Sequence, residues 1–180
     1  MKPIRLLNFP EFRQVYDYDC GANALQAILA YFGFDEAEGD IMDLLGTDKE
    51  WGTDPPEIIR VAQLYKIKTR AGRFTIDKLK QAIDLGFPVL ITLQAWFEDL
   101  TKDDWAEEYN GGHYVICIGF TDDKIIFEDP SSICRTYLTY NELDRRWHDI
   151  DRYKNKLEYW GCIFYGLEPQ YPLNKVIHMD

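Results

Sequence analysis

The stretch Gln14-Val15-Tyr16-Asp17-Tyr18-Asp19-Cys20-Gly21-Ala22-Asn23-Ala24-Leu25 decides the fold. Asp19 is a good N-cap, which places Cys20 in the first turn of a helix. Ala22, Ala24, Leu25, Ala27, Ile28, Leu29, Tyr31 and Phe32 follow, apolar nearly all round. Such a helix is buried on all sides, and Gly33 is its natural stop. A thiol at a helix start, with an amide donor six residues upstream, is half of a cysteine nucleophile site.

Working outward, the chain reads as helices first and strands later. A short helix is predicted over Asp40 to Leu45, ended by Gly46. A second starts at Thr53-Asp54-Pro55-Pro56-Glu57, with Pro in its first turn, and runs to about Tyr65. A short strand is predicted from Ile67 to Ala71, and a helix from Thr75 to Gly86. The period then changes: Pro88 to Leu93 is a compact apolar run, read as a buried strand. Phe97 to Asn110 is acidic and reads as a surface excursion. His113 to Phe120 and Lys124 to Asp129 pair as a hairpin. Tyr137 to Leu143 leads into a short helix reaching about Trp147. His148 to Lys156 is charged, and reads as loop or exposed helix. Tyr159 to Tyr165 is a late strand. This order implies an α+β fold, a helical half packed on an antiparallel sheet half with a cleft between them. No repeat or linker divides residues 1–180, so one domain is expected.

Composition narrows the function. With 31 acidic and 20 basic side chains the net charge is −11, which disfavours nucleic acid and anionic membranes as partners. A basic peptide would be favoured electrostatically, although net acidity alone commonly serves solubility. Cys20, Cys117, Cys134 and Cys162 lie far apart and form no CxxC pair. No signal-peptide pattern and no apolar run of spanning length is present. These features point to a reducing, cytoplasmic setting with free thiols; a disulfide between two later cysteines stays open. Cys117 and Cys162, inside apolar strand-like runs, read as small buried hydrophobes. His113, His148 and His178 sit at no metal-ligand spacing, so no metal and no cofactor is expected.

The chemistry needs four residues to meet. A free thiol with a pKa of about 8.5 is mostly protonated at neutral pH. The helix N-terminus favours the anion, Asp19 opposes it, and His113 is the candidate cationic partner. Asp129 is the candidate orienter of His113, and hairpin geometry tests it. With a plain two-residue turn at Asp122-Asp123, Asp129 would face Ile116, on the wrong face from His113. A three-residue loop, Thr121 to Asp123, or a bulge puts it opposite Val115, diagonal to His113 at roughly 7–8 Å between backbones. Gln14, with the backbone N–H of Cys20, would bind the oxyanion. Gly21 is expected to let backbone and substrate approach closely, and Gly111-Gly112 to keep the opposite wall thin. Bland readings stand beside these: Asp129-Pro130 as a strand terminator, His113 as a structural histidine, Gln14 as a surface amide.

These residues resemble the papain-like cysteine peptidases, and more closely the bacteriocin-processing, double-glycine leader peptidases. The family pattern of Gln, Asp-Cys-Gly, an Ala-rich helix and Tyr-Phe-Gly resembles Gln14, Asp19-Cys20-Gly21, Ala24 to Ile28 and Tyr31-Phe32-Gly33. Gly-His-Tyr-Val and Asp-Pro resemble Gly112 to Val115 and Asp129-Pro130. The resemblance covers roughly residues 10 to 147 and implies a papain-like fold. It implies Cys20 as nucleophile, His113 as acid/base, Asp129 as orienter and Gln14 as oxyanion donor. It also implies a thiol protease, with leader-peptide processing as the expected role and a peptide, perhaps Gly-rich, as substrate. Family members are often joined to an export transporter; this sequence has no GxxxxGK[ST] motif, and the pattern does not account for 148–180. Two rivals stay open: an acyltransferase or transglutaminase-like enzyme with the same Cys-His-Asp set, and a peptide-binding module that does not cut.

Overall fold

The computed structural model describes residues 4–96, 104–171, 176, 178 and 179. The helical half begins with α1 (Cys20–Tyr31), followed by α2 (Glu38–Leu45) and α3 (Pro55–Leu64). α1 is buried along almost its whole length, as its unbroken apolar surface requires. Gly33, at φ +92°, turns the chain away from it. α2 stops at Gly46 in the left-handed region, and α3 opens with Pro55 in its first turn.

The sheet half starts at β1 (Arg5–Leu6) and continues with β2 (Lys68–Arg73), helix α4 (Ile76–Asp84) and β3 (Val89–Gln94). Then come β4 (Gly112–Phe120), β5 (Lys124–Glu128), β6 (Thr136–Thr139), helix α5 (Tyr140–Arg146) and β7 (Trp160–Tyr165). The strands run in the order β2-β7-β3-β4-β5-β6, with β1 on β4, and every pairing is antiparallel. All six residues of β3 are buried, which explains why that run shows no alternation. The expected α+β architecture is therefore the observed one, with α1 packed on β4.

Three local readings that left alternatives open are resolved. The hairpin turn is the tight one, with the Thr121 N–H donating to the Lys124 carbonyl at 2.9 Å. The extra residue sits in the strand instead, as a bulge between Cys117 and Gly119. Gly119 is placed there because β1 crosses it: a Cβ would lie 2.8 Å from the Arg5 carbonyl oxygen. The charged run from His148 is a loop and not an exposed helix, and it is tied down. His148 is buried, Ile150 bridges Lys156, and the Leu157 N–H donates to the Asp149 carbonyl. Of the excursion at 97–110, residues 97–103 lie outside the described residues; Asp104–Glu107 form a 3-10 turn that buries Trp105.

The late strand β7 is central to the sheet, between β2 and β3. The chain after it returns to the end of α1, where the Gln170 N–H donates to the Tyr31 carbonyl at 2.9 Å. Segment 160–171 thus closes the core that holds α1 against the sheet.

Candidate active site

Cys20 opens α1, half-buried, and its partner comes from β4. His113 lines the same cavity as Cys20 and interacts with it electrostatically, and its Nε2 lies 2.8 Å from Asp129 Oδ1. With Nε2 committed to the carboxylate, Nδ1 is the ring nitrogen left for another partner. His113 and Asp129 are both buried. The bulge shifts the ladder so that Ile116 faces Glu128, and the next residue, Asp129, falls beside Val115 on the His113 face. The geometry required of Asp129 is met by a bulge, not by a longer loop.

Asp129 is fully engaged. Oδ1 also accepts the Ser131 N–H at 3.0 Å, and Oδ2 accepts the Thr136 hydroxyl at 3.0 Å. Burial acts to raise its pKa, but His113 and these donors outweigh it and hold the carboxyl below its usual range. For His113, burial acts to lower the pKa. The hydrogen bonds and charges of Asp129 and Cys20 outweigh it and lift the imidazole to about 9. Both shifts favour an imidazolium held by a carboxylate.

Gln14 lies half-buried next to the same loop. Its N–H donates to the Pro130 carbonyl at 3.0 Å, its Oε1 accepts the Ser131 hydroxyl at 3.0 Å, and its Nε2 donates to the Tyr16 carbonyl. The amide is thereby fixed across the two halves, with one Nε2 hydrogen left over. Asp19 corrects the sequence reading. It stands at the N-cap position but makes no side-chain cap bond. Its carboxylate turns back and accepts the Val15 and Tyr16 N–H groups at 3.2 and 3.0 Å, which ties down the loop that carries Gln14.

The glycines allow close packing of protein on protein. A Cβ on Gly21 would lie 2.8 Å from the Thr53 Cβ and 3.1 Å from the Tyr114 ring, and the Tyr114 hydroxyl donates to the Thr53 carbonyl. Beside Cys20 and His113 opens a cavity of about 440 Å3. One wall is Trp51 to Thr53, the other Gly112 to Tyr114, and one end is closed by Asp149 to Arg152. Sequence reasoning missed this end wall. Its anchor is Gln94, fully buried on β3, whose Nε2 donates to the His148 carbonyl and to Asp149 Oδ1, and whose Oε1 accepts the Gly111 N–H. The hint in sequence is a polar Gln closing a mostly apolar strand.

The other cysteines stand apart. Cys117 and Cys162 are buried, with burial pushing Cys162 up to about 12 and Cys117 higher still. All four cysteines are free, which closes the disulfide alternative. Among the described residues no cluster of His, Cys, Asp and Glu could hold a metal ion, and no helix is long and apolar enough to cross a membrane.

Solved structures share this fold. One is a double glycine motif protease from an AMS/PCAT transporter, in complex with the leader peptide: 19% identity, TM-score 0.66, covering 94% of this chain and 99% of that one. A putative C39-like peptidase from Bacillus anthracis matches at 17% identity and TM-score 0.69, over 93% of this chain and 100% of that one. The peptidase domain of Streptococcus ComA, a bi-functional ABC transporter, matches at 20% and TM-score 0.59, over 92% and 98%. No curated protein matches the chain. The Peptidase_C39 like family model matches residues 6–155, and the chain belongs to that family of cysteine peptidases.

Proposed function

We propose that residues 1–180 act as one peptidase domain in which Cys20, His113, Asp129 and Gln14 cleave a peptide through a thioester. The observation that carries this is His113, held by Asp129, lining one cavity with Cys20 and interacting with it. The Cys20 thiolate attacks the scissile carbonyl carbon. The oxyanion that forms is bound by the free Nε2 hydrogen of Gln14 and the Cys20 backbone N–H, one such donor being worth about 3–4 kcal/mol. Imidazolium Nδ1–H protonates the departing amine, and the C–N bond breaks to leave the thioester. His113 then takes a proton from water, hydroxide adds to the thioester, and the acid product leaves as the thiolate is restored. Asp129 keeps Nε2–H in place throughout, so that Nδ1 is the nitrogen that gives and takes the proton.

The substrate we infer is a leader peptide ending in small residues such as Gly-Gly. Its support is the leader-bound structure that shares the fold and the two glycines, Gly52 and Gly112, that line the cleft together with Cys20. A peptide library cut by the wild-type chain, read by mass spectrometry, tests it. Cleavage concentrated after Gly-Gly is expected. Cleavage with no Gly preference would overturn the leader assignment, and transfer to an added amine would favour acyl transfer.

A further inference from the structure

The end wall of the cleft holds a carboxylate that the reaction above does not use. Asp149 follows the buried His148 and lines the same cavity as Cys20 and His113. It packs directly on Gly112, where a Cβ would lie 2.7 Å from Oδ1 and 2.8 Å from Oδ2. Its two donors, the Gln94 amide at 3.2 Å and the Ile150 N–H at 2.8 Å, both bind Oδ1. An ionised carboxylate has room for about four hydrogen bonds, so Oδ2 is left to whatever occupies the cleft.

Among the described residues no lysine or arginine is ion-paired with it, and His113 acts on it through charge without a hydrogen bond. Arg152, the nearest basic residue on its own segment, is spent on Asp54 at 2.6 Å and Asp48 at 3.2 Å. Another acid that burial raises to about 7, Glu128, makes the contrast clear. Glu128 is closed over by the N-terminal segment, where Oε1 accepts the Phe12 N–H at 3.0 Å. Asp149 has no such cover and faces the cavity. Burial pushes its carboxyl up to about 7 against the Ile150 and Gln94 hydrogen bonds and the His113 charge, so ionisation at this position is only partly compensated in the free protein and would be completed by a cation arriving from the cleft.

We propose that Asp149 is the specificity-determining carboxylate of the cleft, taking the cationic side chain of a lysine or arginine in the bound peptide. This rests on the peptidase reading of the cleft and adds to it a basic residue close to the scissile bond. A cavity of about 440 Å3 accommodates either side chain, and a charge-assisted hydrogen bond to Oδ2 would fix its position.

The test uses two thiol reagents of opposite charge and equal reach, aminoethyl and sulfonatoethyl methanethiosulfonate, on the intact protein, with exposed Cys134 as internal reference. Modification rates are read at each cysteine by mass spectrometry. The proposal predicts a cation-over-anion rate ratio at Cys20 at least about tenfold above that at Cys134. Asp149→Asn should remove most of this preference and Asp149→Glu should keep it. A Cys20 that reacts fast but with the same ratio as Cys134, or a preference unchanged in Asp149→Asn, overturns the proposal and leaves the peptidase reading standing. A Cys20 no faster than Cys134 with neutral iodoacetamide overturns both. A second measurement needs no variant: a lysine-containing peptide should protect Cys20 of the wild-type chain at least about tenfold better than its norleucine counterpart. Equal protection counts against the proposal.

Discussion

Two aspartates flank Gly112-His113, and their environments are opposite. Asp129 sits on the closed side, with His113, the Ser131 N–H and the Thr136 hydroxyl dividing its two oxygens. Asp149 sits on the open side, with both donors on one oxygen and the other left to the cleft. Burial is common to both, yet one carboxyl is held below its ordinary pKa and the other is raised to about 7. The difference is the partner. A buried carboxylate bonded directly to a cation and to several donors stays ionised and can hold an imidazole; one that meets the same cation only through space, with donors on one oxygen, has room for a ligand.

The largest expected effect breaks the closed side. His113→Ala should lower kcat/KM by about 10³–10⁴-fold for every substrate, measured with a cleaved peptide at saturating and limiting concentrations. Asp129→Asn should cost about 10²–10⁴-fold, also without regard to sequence, because it spoils the tautomer and not the binding. Gln14→Ala should cost about 10²–10³-fold in kcat with little change in KM, since its remaining N–H meets charge only as the oxyanion forms.

Smaller effects separate the two aspartates by sign. Asp129 has a lowered folded pKa, so its contribution to stability is present above its unfolded value of 3.8 and is lost as pH falls through the folded value. Asp149 has a raised folded pKa, so it costs nothing below 3.8 and costs progressively more as pH rises to about 7. Melting curves at pH 8 should show Asp129→Asn lowering Tm and Asp149→Asn leaving it unchanged or raising it. The same direction of shift in both variants would erase the distinction. His113, raised from 6.5 to about 9, contributes stability below 6.5 that fades as pH rises through about 9, and peptidase activity should fall along the same limb. The smallest effect is at the rim. Arg152→Ala should change stability by no more than about 1 kcal/mol, because its ion pairs with Asp48 and Asp54 are partly solvated.

The closed side was legible in the sequence and the open side was not. Cys20 and His113 stand out because a thiol at a helix start and a Gly-Gly-His entering a strand are local patterns. Asp129 needed one step of strand geometry. The expected offset was right, and of its two allowed sources, loop or bulge, the structure has the bulge, fixed where β1 crosses Gly119, a contact between residues more than a hundred apart. Asp149 is joined to Gly112 only by folding, through Gln94 and the turn after the buried Trp147. In sequence it is one acid in a charged run, which ordinarily marks a solvated face. Asp19 shows the converse: its position was legible, whereas the direction of its carboxylate depends on the backbone of Val15 and Tyr16.

The central claim is that Cys20 is the working thiol and that His113 makes it so. Iodoacetamide labelling followed cysteine by cysteine tests this most directly. The account predicts that Cys20 is alkylated well ahead of exposed Cys134 and of buried Cys117 and Cys162, and that this lead collapses in His113→Ala. Slow labelling of Cys20 at the rate of Cys134, or a lead that survives the loss of His113, would contradict it.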